Sequence, residues 1–87
     1  MDKIKALSQL LNKSNINITF VYNNGSNISK EILKNVKVEI INDLLIIKDV
    51  NKKARLTDAS IVDIKGSSAE LIFNEDGYKV TVKINAT

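Results

Sequence analysis

Between Ile16 and Ile84 apolar and polar side chains alternate in a succession of short runs, most cleanly where Tyr78, Val80, Val82 and Ile84 are separated by Lys79, Thr81 and Lys83. Successive side chains on an extended strand point to opposite faces, so a period of two hides one row and leaves the other in water. A chain written this way folds by stacking half-buried strands. Upstream, Ala69, Leu71 and Phe73 alternate with Glu70 and Ile72, and Asn74-Glu75-Asp76-Gly77 supplies a turn ending in glycine. The two runs predict a closing hairpin. With Phe73 paired to Tyr78 across a four-residue turn, Glu70 is expected opposite Thr81, with Lys79 and Lys83 on its diagonals. That describes a solvated sheet face.

The first twelve residues follow a different period. Ile4, Leu7, Leu10 and Leu11 recur at three- and four-residue spacing, which predicts an amphipathic helix from Asp2 to about Asn12. Asp2 suits its first turn, Lys13 its C-terminal end, and Ser14-Asn15 breaks it. Three turns are not stable alone, so the stripe must pack on something. Either it covers a face of the sheet, or Leu7 and Leu11 belong to an interface.

Between helix and hairpin, Ile16, Ile18, Phe20 and Tyr22 read as a strand, and Asn23 to Asn27 as a loop whose Asn24-Gly25 suits a tight hairpin turn. Ser29 to Asn35 fits a single helical turn capped by Ser29, and Ile28 to Leu33 equally fits entry into a bent strand. The balance falls slightly toward irregular or strand, because Ile32 stands where a capping box needs an acid or amide. Val36, Val38 and Ile40 alternate up to a turn at Asn42-Asp43, and the apolar run Leu44-Leu45-Ile46-Ile47 follows. Four adjacent apolar residues cannot all hide on one side of a sheet. This strand is therefore central and covered on its second face by the helix, or half of it, with Leu45 and Ile47 as candidates, meets another subunit. Lys48 to Lys53 form a polar connection, and short strands follow at Ala54 to Thr57 and Ile61 to Lys65. The expected fold is a single domain over residues 1–87, α+β but mainly β. An N-terminal helix is followed by a small, strongly bent antiparallel sheet or an SH3- or Sm-like barrel with a C-terminal hairpin.

Composition bounds the chemistry. The 87 residues contain no Cys, His, Trp or Pro. Disulfides, thiolate metal sites and every catalytic arrangement built on imidazole are excluded within one chain. The carboxylates do not fall at calcium-loop spacing, and the three glycines are scattered among turns instead of forming a phosphate loop. Asp58 and Asp63, the nearest approach to an acid pair, flank a turn and a strand in ordinary polar positions. Tyr22 and Tyr78 sit on otherwise apolar faces, where packing with the hydroxyl at the edge is the default. The expectation is a protein that is not an enzyme and uses no cofactor and no metal. The N-terminus lacks the apolar run of a signal peptide, and no stretch approaches the ~18 apolar residues of a membrane span. A cytoplasmic location is expected.

Thirteen Lys and Arg against ten Asp and Glu give a net charge of +3, too mild to argue for nucleic acid by itself. Lys52, Lys53 and Arg55 nevertheless cluster on one short stretch, and Lys30, Lys34 and Lys37 form a looser group. The first cluster is a candidate contact for anions or RNA.

Phe20-Val21-Tyr22-Asn23-Asn24-Gly25 and Leu56-Thr57-Asp58-Ala59-Ser60-Ile61 resemble the first strand and the late strand-joining motif of the Sm-like fold, particularly its bacterial Hfq-type branch. The likeness spans residues 18–64. It implies a bent five-stranded barrel assembling into an RNA-binding ring, with Gln9 in the place of a helix glutamine that contacts RNA. Where that family carries a basic RNA-contacting pair, this chain reads Thr57-Asp58, and the hairpin after Gly66 is additional to the family pattern. The leading expectation is a non-enzymatic module for protein interaction or assembly, binding a protein partner or itself. The alternatives are the Sm-like RNA-binding ring and a small inhibitor or immunity-type protein acting through Asp43, Asp49, Asp58 and Asp63.

Overall fold

In the computed structural model, which describes residues 3–12 and 15–86 apart from the Asp58 side chain, the alternating stretches become eight strands preceded by one helix. In chain order these are α1 (Lys3–Leu11), β1 (Ile16–Asn23), β2 (Ile28–Val36), β3 (Val38–Ile41), β4 (Leu44–Ile47), β5 (Lys52–Arg55), β6 (Ile61–Lys65), β7 (Ser68–Glu75) and β8 (Tyr78–Ala86). The expected roles of Asp2, Lys13 and Ser14 at the helix ends lie outside the described residues. The ambiguous stretch after Asn27 is strand β2 throughout.

Two open antiparallel sheets result, one ordered β2-β1-β8-β7-β6 and one ordered β3-β4-β5. This corrects the expected bent sheet or Sm-like barrel. The cause is the C-terminal hairpin, the part the family pattern lacks. β8 pairs with β7 on one side and with β1 on the other, from Ile16 opposite Ala86 to Asn23 opposite Lys79 without a break. β1 already pairs with β2, so both its edges are used, and β2 and β6 remain the edge strands of the large sheet. The Leu56 to Ile61 stretch does join successive strands, but it crosses from the small sheet to the large one. The resemblance therefore captured a local pattern of apolar residues and turns and not the fold.

The hairpin itself turns more tightly than expected. Glu75 lies opposite Tyr78, leaving a two-residue Asp76-Gly77 turn with φ of 50° and 81°, the doubly left-handed geometry that matches strand twist. The pairing is thus two residues away from the expected register, and Glu70 sits directly opposite Lys83. A slip of two leaves every side chain on its expected face. Asn42-Asp43 makes the same kind of turn, with φ of 50° and 61°. Asn24-Gly25 does not: it lies in a longer loop in which Asn24 Oδ1 accepts from the backbone of Ser26 and Asn27 at 3.0 and 2.7 Å.

The core lies between the inner faces of the two sheets and α1. Leu7, Ile16, Ile18, Ile61, Leu71, Val82 and Ile84 are almost wholly buried, and every buried residue among those described is apolar. α1 packs against β6 and β3, so its stripe serves as cover for the sheets. The run in β4 divides by parity: Leu45 and Ile47 turn into the core, while Leu44 and Ile46 are half-buried on the other face. Leu7, Leu11, Leu45 and Ile47, the candidate interface residues, are all enclosed by this chain's own core.

Candidate functional site: a cleft between the sheets

The strands of the two sheets differ in length, and that difference creates the site. β1, β7 and β8 run for eight or nine residues, whereas each strand of the small sheet has four. The inner face of the large sheet therefore extends beyond its cover. Pairing carries successive cross-strand rows along that face: Ile18, Ile84 and Ala69, then Phe20, Val82 and Leu71, then Tyr22, Val80 and Phe73. The first two rows are buried. In the third, Tyr22 and Phe73 are only half-buried, and beyond it Tyr78 is 40% exposed.

A cleft of about 770 Å3 opens there. Phe20, Tyr22, Phe73 and Tyr78, which are all the aromatic side chains in the chain, line it. The Phe20 and Tyr22 rings stack with centroids 6.1 Å apart at an interplanar angle of 15°. The small sheet contributes Lys52, Lys53 and Arg55 to the lining, and the large sheet contributes Glu75 and Asp76 at the hairpin turn. The cleft thus has an apolar, aromatic floor, with Lys52 on one side and the carboxylates of the hairpin turn on the other. Lys53 and Arg55, opposite Ile46 and Leu44, belong to the outer face of β5 at its rim.

Lys52 fastens the sheets together at this point. Its Nζ donates to Glu31 Oε1 at 2.7 Å and to the Tyr22 hydroxyl at 2.9 Å. The ammonium also stands 4.7 Å from the Phe20 ring centroid and 5.6 Å from that of Tyr22, within the range of cation–π attraction. The hydrogen bond from Lys52 holds the Glu31 carboxyl below its ordinary range, and the same bond to Glu31 raises the Lys52 ammonium. Both side chains keep substantial solvent contact, 36% for Lys52 and 42% for Glu31.

The basic cluster read from the sequence is therefore brought together, with Lys52 already engaged and Lys53 and Arg55 exposed. Gln9 is exposed on α1, which packs on β6 and β3, and it takes no part in lining the cleft. The acidic candidates are dispersed. Asp49 accepts from the Lys37 backbone at 3.2 Å, Asp43 occupies a turn, Asp63 lies opposite Glu70 on β6, and the Asp58 side chain lies outside the described residues. Among the described residues, no group of three or more His, Cys, Asp or Glu could hold a metal ion, and no helix is long and apolar enough to cross a membrane.

Sequence reasoning missed Tyr22, Phe73, Tyr78 and Glu31 as a group. Alternation put the three aromatic residues on the apolar face, and only the lengths of the covering strands decide how much of that face stays open. The mismatch between the long strands near the chain's end and the short runs around Leu44 to Arg55 was the available signal. No family model, curated protein or solved structure matches the chain, so the cleft's own chemistry carries the functional reading.

Proposed function

We propose that this protein is a non-enzymatic binding module that receives an extended segment of a partner protein in the cleft between its sheets. The observation that supports this reading is the convergence of every aromatic side chain on one open cleft flanked by opposite charges. Aromatic side chains offer large contact area at small entropic cost and dominate binding surfaces. The charge distribution favours a polypeptide over a nucleic acid. A polyanion would meet Glu75 and Asp76 across the floor, with Lys52 already engaged by Glu31 and Lys53 and Arg55 set on the outer face of β5. A segment with an apolar anchor, an acidic neighbour toward β5 and a basic neighbour toward the hairpin turn satisfies both sides.

Selection of random displayed peptides on the immobilised protein tests the reading. Enriched peptides are expected to carry an aromatic or large aliphatic anchor between charges of opposite sign. They should bind at least about tenfold more weakly to the Phe73→Ala/Tyr78→Ser variant, the scale of losing one hot-spot contact. Selected peptides indifferent to that variant would refute the reading. So would tight, steeply salt-dependent binding of oligothymidylate that shifts the Tyr22, Phe73 and Tyr78 resonances.

A further inference from the structure

We infer that β2 is an open strand edge that accepts an extended segment of a partner protein whose outward side chains alternate between acidic and apolar. This inference is independent of the cleft. β2 pairs on one side only, with β1. It carries the two most exposed large apolar side chains among the described residues, Ile28 at 70% and Ile32 at 59%. On the same face Lys30 and Lys34 are exposed as well. An unpaired edge presents a row of backbone donors and acceptors that an incoming strand can satisfy, with side-chain neighbours setting the preference.

The lysines decide which strand that can be. In a two-fold antiparallel pairing of β2 with a second copy, outward residues must lie opposite outward residues. Three registers bring isoleucine to isoleucine, and the one with Ile28 opposite Ile28 pairs almost none of β2, which leaves two. One sets Lys30 opposite Lys30, and the other sets Lys30 opposite Lys34. The register between them sets Ile28 against Lys34 and Ile32 against Lys30, so apolar surface meets charge, and brings together two Glu31 side chains each already held by Lys52. Registers further out either shorten to about three residues or run into Asn35, whose φ of 56° breaks the strand geometry. Like charges directly opposite each other are destabilising, so the edge rejects copies of this chain. The same lysines attract a strand with carboxylates opposite Lys30 and Lys34 and apolar side chains opposite Ile28 and Ile32. Pairing and rejection then arise from one set of residues.

The test uses the full chain and a blocked peptide, Glu-Val-Val-Lys-Glu-Thr-Val, written to run antiparallel to residues 28–34. Its outward Glu, Val, Glu and Val face Lys34, Ile32, Lys30 and Ile28 in turn, and its inward Lys faces Glu31. Amide shift changes and slowed hydrogen exchange are expected at Ile28 to Lys34. A peptide with both Glu changed to Lys should bind about tenfold more weakly at low salt, as two cross-strand pairs change sign. The Lys30→Glu/Lys34→Glu variant should invert that preference. Binding of neither peptide, equal affinity for both, or shifts confined to the cleft would each overturn the inference. So would a doubled solution mass of the free protein that Ile32→Lys abolishes.

Discussion

Replacing Lys52 with Met isolates the contact that fastens the two sheets. Methionine keeps most of the aliphatic stem but removes the ammonium, and with it the 2.7 Å ion pair, the 2.9 Å hydrogen bond and both ring contacts. Partly exposed ion pairs are worth ~0.2–1 kcal/mol after solvent screening. A cation over an aromatic face at such a site adds ~0.5–1 kcal/mol. Because one charge makes all these contacts, the terms are not additive, and a loss of about 0.5–1.5 kcal/mol is expected. Glu31 keeps water access, so its carboxylate is not stranded. Against a total of roughly 4–13 kcal/mol for a chain this long, that loss should lower the melting temperature by about 3–10 °C. Urea denaturation of the wild type, Lys52→Met, Glu31→Gln and the double variant gives the coupling directly. A coupling indistinguishable from zero, or one that does not shrink in about 1 M salt, would refute the electrostatic account of the fastening.

Two further predictions concern the helix and pH. Leu7→Ala should cost ~2–5 kcal/mol, because Leu7 is fully buried between α1 and the sheets. The loss should be independent of protein concentration in chemical denaturation, and a concentration-dependent midpoint would return Leu7 to an interface between copies. For pH, the lowered Glu31 value stabilises the fold above the ordinary carboxylate range, and that contribution disappears as pH falls through the lowered value. The raised Lys52 value stabilises below the ordinary lysine range and is lost as pH rises through the raised value. The stability difference between wild type and Lys52→Met should therefore be flat across neutral pH and shrink at both extremes.

Much of the secondary structure was legible because burial of one strand face writes a period of two directly into the sequence. Val80, expected inside, is 5% exposed, and Ile84 is 0% exposed. A single period has limits, and Ile46 shows where they fall. The apolar run at Leu44 to Ile47 announces apolar residues on both faces of β4 without saying which half meets the core. The structure selects Leu45 and Ile47. The hairpin register was also underdetermined: a four-residue and a two-residue turn preserve the same faces, and only the positive φ of Asp76 and Gly77 separates them.

The sequence by itself determined the helix, the faces of the strands other than β2 and β4, the turns at Asn42-Asp43 and near Gly77, and the exclusion of thiol and imidazole chemistry within this chain, because these depend on local spacing and residue type. Tertiary structure decided that β8 pairs with β1, which leaves two open sheets instead of a barrel. It also decided that four aromatic residues and Lys52 meet at one cleft. Both outcomes depend on which strands become neighbours and how far one sheet extends beyond the other. Those relations join residues 21 and 30 positions apart at Lys52 and farther apart still between β1 and β8, and a period of two carries no record of them.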